Sequence, residues 1–387
     1  MKISEKKREK KEIGIPIENI NKKELKRRGH EIGDILGCDE KGEEICVRKG
    51  KGNLYVDGDM EKEQLFDFMR SQIYQNIQRG DSMVIVDLGS RIYKRELWIY
   101  LTIHGYRVDS YNMDCMTESD CFNCLDGLGA ENEEQIVMIA NDIIDDQKYK
   151  FMTYPVETAC KALLSAVLLA SLTEMEESDR NMLEIATIFR LGVSGTMLDK
   201  ILHVMFEELD ETSSAKQLFA MYSEAEEGIR MEAIQKIGNA LAVYEKRANG
   251  SLCDNFRTNR YDMEMPVKEK SVLFIESGQL PEDKVLFSVF MERLYDSMLK
   301  KAEERQQDVT VMLLDYPYYG GLCGLEKYME EGPEKGICTT LYEDDRKLDG
   351  SGYAPHLVEL YSLCDISVCI KDTEIPLCEI EKVRKIR

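Results

Sequence analysis

The sequence predicts an α/β protein with a mostly parallel β-sheet and an inserted all-α segment. Apolar runs alternate with helical apolar spacing from residue 53 onwards, strand signals vanish between about 150 and 265, and the alternation resumes after Pro266. The helical block lies between two halves of one alternating pattern. We therefore interpret it as an insertion into one domain and not as one of three consecutive domains.

The first half of the pattern predicts strands at 54–56, 83–88 and 106–111, with helices at 61–77 and 91–104 between them. The second strand is an unbroken apolar run, which suits a strand covered on both faces and is typical of a parallel sheet. The helices that separate these strands serve as crossover connections.

The segment 150–265 shows helix signals only. Pro155 suits the first turn of an Ala- and Leu-rich helix, where its missing N–H is no loss. Asp179 and Ser194 can each cap a further helix. The helices that follow the first one are predicted at 181–191, 196–209, 214–225 and 227–248.

The second half of the pattern completes the sheet. Its strands are predicted at 271–276, 309–315, 337–341 and 365–370, and its helices at 281–303 and 322–330. The predicted division is a basic arm over 1–52, a discontinuous α/β domain over 53–149 and 266–387, and an all-α insertion over 150–265.

The charge of the chain is strongly uneven. Lys and Arg number 51 against 73 Asp and Glu, a net charge of −22, yet the first thirty residues carry eleven Lys or Arg against five Glu. The acidic body repels phosphate backbones, which argues against direct DNA binding. The basic start can touch an acidic partner, although a solvated chain end is the commoner meaning of such a run. Within the arm we expect at most a short hairpin around 43–48.

Cysteine usage and hydropathy both indicate the cytoplasm. The twelve cysteines are scattered and no secretory signal opens the sequence, so reduced thiols are expected. The longest apolar run, 159–172, contains Lys161 and is shorter than the ~20 residues that span a bilayer. No transmembrane segment is expected.

Candidate site residues lie where the predicted strands end, because ligands of open parallel sheets bind outside the carboxyl ends of the strands. These ends are Asp57-Gly58-Asp59, Asp87-Leu88-Gly89-Ser90, Glu276-Ser277-Gly278 and Asp315-Tyr316-Pro317.

The turn after the first core strand is the natural place for a phosphate-binding loop. Such a loop needs several glycines whose N–H groups converge on phosphate, a Lys for the phosphates, and Ser or Thr for Mg²⁺. Residues 57–63 offer only Gly58 among four acidic residues, and the chain contains no Gly-Lys-Ser or Gly-Lys-Thr triplet. The sequence therefore predicts that this loop is not intact.

Other motifs have equally plain structural explanations. Asp315 follows a strand of the buried type. In nucleotide hydrolases an acidic residue in this position holds a metal-bound water, and the next residue is often a second acid that acts as base. The next residue here is Tyr316. An Asp that only ends a strand explains the same pattern. Cys121 and Cys124 have the spacing of half a zinc site without a second pair, so no metal site is predicted. No local signature indicates a catalytic triad.

Several stretches resemble, in chain order, the TraG/TraD-like coupling proteins of conjugative type IV secretion, which are membrane-associated hexameric ATPases. The similarity spans most of 53–370. It lies in the run 82–87, the helix 93–101, the sequence His104-Gly105-Tyr106-Arg107-Val108, the turn Asn123-Cys124-Leu125-Asp126, Ala215-Lys216-Gln217, the strands 271–275 and 309–315, and the helix 285–299. The resemblance implies a RecA-like fold of the P-loop NTPase type, whose inserted all-α domain is thought to receive substrates.

Departures from the family concentrate where the nucleotide chemistry would be. Residues 57–63 replace the phosphate loop, Asp87 remains without the family's Lys and Pro, and Asp315-Tyr316 replaces an Asp-Glu pair. The resemblance thus makes Asp57, Gly58, Asp87, Asp315 and Tyr316 vestigial nucleotide-binding positions.

The leading hypothesis is a catalytically degenerate relative, a pseudo-ATPase without a cofactor. It would act by protein binding or regulation in type IV secretion or conjugation of a mobile element, at the periphery of a membrane secretion complex, and its partner would bind the segment 150–265. Two alternatives stay open. One is an ATPase that binds ATP and Mg²⁺ at a non-standard site with Lys51 or Lys62 and a partner's Arg. The other is a scaffold that forms homo- or hetero-oligomers with an intact paralogue.

Overall fold

The structure is a computed structural model. It describes residues 34–38, 44–47, 52–58, 62–87, 92–144, 154–190, 195–248, 254–277, 283–314, 322, 324–344, 360, 362–371 and 379–385. Its strands are β1 (Asp34–Cys38), β2 (Glu44–Val47), β3 (Asn53–Gly58), β4 (Ser82–Asp87), β5 (Arg107–Asn112), β6 (Ser271–Glu276), β7 (Val309–Leu314), β8 (Ile337–Asp344), β9 (Cys364–Lys371) and β10 (Glu379–Lys385).

The strands form one ten-stranded sheet with the order β2-β1-β10-β9-β3-β8-β7-β4-β6-β5. Every neighbouring pair from β9 to β5 is parallel, whereas β1 with β2 and β9 with β10 are antiparallel. All six residues of β4 and of β6 are buried, as the unbroken apolar runs of a doubly covered parallel sheet require. The predicted α/β class with a mostly parallel sheet is confirmed.

Helices cover both faces of this sheet. They are α1 (Lys62–Arg79), α2 (Ile92–Ile103), α3 (Glu133–Ile144), α4 (Tyr154–Glu174), α5 (Met182–Arg190), α6 (Gly195–Glu207), α7 (Ser214–Ser223), α8 (Glu227–Arg247), α9 (Asp254–Arg257), α10 (Met265–Lys268), α11 (Asp283–Lys301) and α12 (Leu325–Glu331).

Alternate residues of β4 face two separate apolar clusters, because successive side chains of a strand point to opposite faces. Met83 and Ile85 pack with residues of α1 and α2 in one cluster. Val84 and Val86 belong to the other, which also contains residues of α3 to α8 and of α11. The helical segment and one face of the sheet therefore share a continuous core. The division of the chain into an α/β domain and an insertion domain stays a prediction.

Most elements begin and end within a few residues of their predicted bounds. The strands β3 to β9, the helices α1, α2, α4 to α8, α11 and α12 all occur where the sequence predicts them. The helices α3, α9 and α10 and the strand β10 were not predicted. The hairpin of β1 and β2 begins at Asp34, earlier than expected, and joins the sheet through β10.

The cap of α5 differs from the prediction. Asp179 lies in a short 3₁₀ turn, and Asn181 takes the capping role. The side-chain oxygen Oδ1 of Asn181 accepts the backbone N–H groups of Leu183 and Glu184, each at 3.1 Å. Asn caps as well as Asp does, and Asn181 lies directly before the helix.

Among the described residues, α4 is the one helix long and apolar enough to cross a membrane. It is longer than the apolar run in the sequence suggested. However, 72% of its apolar window is buried inside the protein, as in a core helix.

Candidate nucleotide site at the carboxyl edge of the sheet

The carboxyl end of β3 is where a ligand of this sheet would bind. From β3 the chain crosses through α1 to β4, which lies on one side of β3. The neighbour of β3 on the other side is β9, and the chain continues from β9 to β10, still further from β4. Connections that leave adjacent strands in opposite directions open a crevice at their carboxyl ends. Asp57 and Gly58 end β3 at this crevice.

The register places acidic residues beside one another along this edge. Asp57 is paired with Glu343 and Gly58 with Asp344 on the adjacent strand β8. Asp315 and Tyr316, which follow the end of β7, lie outside the described residues, as does Lys51. The end of β3 thus faces carboxylate-bearing positions of a neighbouring strand.

Asp87 ends β4 and is almost fully buried. Its Oδ2 accepts the backbone N–H of Tyr93 at 3.4 Å, in the first turn of α2. A carboxylate in this position satisfies an N–H group that the helix leaves unpaired and interacts favourably with the helix dipole. The structure therefore gives Asp87 a role at the start of α2.

Glu276 ends β6 and is engaged by side chains from two other elements. Its Oε2 pairs with Nζ of Lys94 at 3.0 Å and accepts the hydroxyl of Ser110 at 3.1 Å. Lys94 Nζ also donates to the Ser110 hydroxyl at 2.9 Å. This largely buried triad fixes α2 against the ends of β5 and β6.

A second network joins the helical segment to the same edge. Asp283, at the start of α11, has no exposed surface and accepts both Nε, at 3.1 Å, and Nη2 of Arg247, the last residue of α8. Ser277 donates its hydroxyl to Asp283 at 2.9 Å. Nη2 of Arg247 also lies 3.5 Å from a carboxylate oxygen of Asp114. Neither Asp283 nor Arg247 was predicted, although Glu276-Ser277 was recognised as a strand end.

These contacts decide what the described part of the edge can bind. Lys94 and Arg247 reach the strand ends, and carboxylates already engage both of them. If Lys94 or Arg247 paired with a phosphate instead, Glu276 or Asp283 would remain as a buried charge without a partner, which is strongly unfavourable. The described side chains therefore form internal ion pairs that hold the elements together.

The cysteine pair of the predicted half site lies in the core. Cys121 and Cys124 are both buried and free. Burial raises the pKa of the Cys124 thiol to about 12, far from the thiolate that a metal requires. Within the described residues, no group of three or more His, Cys, Asp or Glu side chains has the arrangement of a metal site.

The crossover helices, the parallel strand order and the crevice at β3 define an α/β protein of RecA-like fold. No protein-family model matches the chain, and no curated protein matches its sequence. Solved structures do match. The bacterial conjugative coupling protein TrwBdeltaN70, in its unbound monoclinic form, superimposes with a TM-score of 0.60 at 15% identity and covers 90% of this chain and 75% of that chain.

Two further structures share the fold. The plasmid coupling protein TrwB in complex with ADP and Mg²⁺ gives a TM-score of 0.58 at 14% identity, with 90% of this chain and 77% of that chain covered. VirB4 of Thermoanaerobacter pseudethanolicus gives 0.50 at 12% identity over 89% and 85% of the two chains. At these identities the similarity shows the fold. The RecA-like expectation from the sequence is confirmed.

Proposed function

We propose that this chain is a coupling-protein-like component of a type IV secretion or conjugative DNA-transfer system that acts by binding proteins and not by hydrolysing ATP. The observation that supports it is a RecA-like sheet whose described strand-end charges are paired internally. Asp87 caps a helix, Lys94 holds Glu276, and Arg247 holds Asp283.

The electrostatics of the β3 turn support the absence of nucleotide chemistry. Residues 57–63 carry four carboxylates and one glycine, and the register adds Glu343 and Asp344 from β8. A triphosphate held there would lie against like charges, and each such contact is unfavourable at short range. Phosphate-binding loops instead direct several backbone N–H groups and a Lys towards the phosphates.

Titration calorimetry with ATP and Mg²⁺ tests this proposal. We expect no micromolar binding and no turnover, and Asp315→Asn should leave both results unchanged, because the proposal gives Asp315 no catalytic role. An intact coupling ATPase measured in parallel serves as the positive control. Micromolar binding with turnover that Asp315→Asn abolishes would instead establish the ATPase with a non-standard site.

The partner-binding part of the proposal concerns the segment 150–265. Its deletion is not a clean test, because its helices share one core with the sheet. Charge-neutral substitutions of exposed residues keep the fold intact. We expect this chain to co-purify with a relaxase or a channel component of a type IV secretion system, and variants of exposed residues within 150–265 should reduce the recovery. If no such variant reduced the recovery of the partner, the binding surface would lie outside 150–265.

A further inference from the structure

The helix α6 has more apolar surface than the fold covers. At 3.6 residues per turn its apolar side chains span an arc of about 200°, whereas a surface helix typically has an apolar stripe about 100° wide. Leu198, Leu202 and Phe206 are buried in the core. The adjoining half of the arc is exposed and consists of Met197, Ile201, Val204 and Met205.

The exposure of this stripe is substantial. Met197 is 54% exposed, Val204 59% and Met205 54%, and Ile201 is 38% exposed. Their spacing is i, i+4, i+7 and i+8, which places them along one side of the helix over about 12 Å at 1.5 Å per residue. Met221 of the neighbouring helix α7 is exposed as well, at 55%. We call Met197, Ile201, Val204 and Met205 the α6 stripe.

A partly buried ion pair opposes rotation of α6 that would turn this stripe inwards. Asp199 lies on the covered side, and its carboxylate accepts Nε and Nη2 of Arg230 from α8, each at 3.2 Å. The hydroxyl of Tyr222 from α7 donates to Asp199 at 2.7 Å. The rings of Phe206 and Phe219 also stack at 4.2 Å between centroids. Rotation of α6 would break these contacts, so the stripe is a fixed feature of the surface.

Acidic residues follow the α6 stripe at its carboxyl end, and more lie in the turn between α7 and α8. The turn that leaves α6 exposes carboxylates, and so does the turn between α7 and α8. Asp199 of α6 contacts the two helices that flank this second turn, through Tyr222 and Arg230. Lys200, four residues before Val204 on α6, is the exposed cation beside the stripe among the described residues of this helix. Lys216 is already engaged, since its Nζ donates to the carbonyls of Glu207 and Leu209 and pairs with Glu211. The exposed acids are Glu207, Glu208, Asp210, Glu211, Glu224, Glu226 and Glu227.

We propose that the α6 stripe is the docking surface for a basic amphipathic helix of a partner protein. The proposal rests on the protein-binding function proposed above and specifies its surface and the chemistry of its partner. An apolar face with i, i+4 and i+7 anchors matches the apolar face of a second helix. The unbranched Met side chains adapt to different partners. The acidic carboxyl end selects a partner with Lys or Arg beside its apolar residues.

The same charges disfavour other occupants. A second copy of this chain would bring two acidic rims together, and an anionic membrane surface would repel them. A basic helix instead exchanges this repulsion for attraction at the acidic carboxyl end of the stripe.

Fluorescence anisotropy with a labelled amphipathic Leu/Lys helix tests the proposal on the full chain. A Leu/Glu helix with the same apolar positions is the control probe. We expect the Leu/Lys helix to bind and the Leu/Glu helix not to bind. Ile201→Gln combined with Met205→Gln should weaken binding about tenfold or more without changing the net charge.

The matched control is Ile99→Gln with Ile103→Gln on α2, where both side chains are more exposed than those of α6. This variant should bind the Leu/Lys helix as the unmodified chain does. Glu207→Gln with Glu208→Gln should weaken binding mainly at low salt. Equal binding of both probes, or equal loss in the α6 and α2 variants, would overturn the proposal. The substituted residues of α6 lie far along the chain from the β3 turn. A failure of helix binding can therefore be told apart from a failure of the ATP titration.

Discussion

Glu292 is a buried carboxyl that connects two helices by its own hydrogen bonds. It lies on α11, accepts the Tyr328 hydroxyl at 2.6 Å, and accepts the backbone N–H of Gly324 at 3.3 Å. Burial raises the pKa of Glu292 to about 7, although both hydrogen bonds oppose this shift. The carboxyl thereby holds the start of α12 against α11, directly after the connection that leaves β7.

Gly324 is required at this contact because no side chain fits. A Cβ at this position would lie 2.5 Å from Oε1 of Glu292 and 2.9 Å from Cε of Met138. We expect Gly324→Ala to lower the free energy of unfolding by about 1–3 kcal/mol through overpacking. Urea denaturation measures this change.

Gly228→Ala is the control for that experiment. Gly228 lies in the first turn of α8, and a Cβ there meets nothing within 4 Å. This change should raise the free energy of unfolding by about 0.5–1 kcal/mol, because Ala restricts the unfolded chain more than Gly does. Similar losses in both variants would contradict the contact at Gly324.

Stability should depend on pH through Glu292. Its pKa is about 7 in the folded protein against an ordinary value of 4.5, so the folded state keeps the proton to higher pH than the unfolded state. The free energy of unfolding therefore falls as pH rises from about 4.5 to about 7, by on the order of 3 kcal/mol. Glu292→Gln cannot titrate and should lack this part of the slope. The free energy of unfolding is measured in urea at each pH. If it changed with pH in the same way for both proteins, the raised pKa of Glu292 would be disproved.

The site residues show what a sequence can and cannot predict at this scale. Asp57, Gly58 and Asp87 do end their strands, because an acidic residue after an apolar run is a local signal. The contacts of Asp87 were not predictable, since its partner Tyr93 depends on how α2 leaves the strand. Arg247 and Asp283 lie in separate helices, and only the packing of α8 on the sheet edge brings them together.

Among the elements, α8 is fixed to the sheet by its last residue. We expect Arg247→Met to lower the free energy of unfolding by about 3–5 kcal/mol, because Asp283 would remain as a buried charge without its partner. Arg190→Met is the matched control, since Arg190 ends α5 and its pair with Glu245 leaves the Arg190 side chain 71% exposed. That change should cost about 1 kcal/mol or less. Thermal unfolding of the two variants measures the difference, and equal shifts would disprove the role of Arg247.

Elements with strong internal periodicity were predictable, and elements defined by their neighbours were not. The strands β4, β6 and β7 each contain an unbroken run of four apolar residues, and α8 has apolar spacing over its whole length, so each is recognisable alone. The strand β10 carries five charged residues among its seven and exists through its pairing with β9. The helix α3 follows a turn-rich stretch that hides its start.

At the scale of the whole molecule, the shared core determines how the protein unfolds. The cluster that contains Val84 and Val311 of the sheet also contains Leu163 and Leu241 of the helical segment. If that cluster acts as one unit, the sheet and the helices lose their packing together. The sequence, in contrast, predicts a discontinuous α/β domain and a separate all-α insertion domain. A domain with a core of its own would unfold by itself.

Hydrogen exchange in increasing urea distinguishes these possibilities. We expect the amides of β6 and of α8 to lose protection at the same urea concentration, because a helix packed on the sheet cannot expose its apolar side without opening the sheet's face as well. Leu241→Ala, in the buried face of α8, should lower protection in both elements by about 2–5 kcal/mol. A change confined to α4 to α8 would establish the insertion as an independent domain, and would then make its deletion a valid test of partner binding.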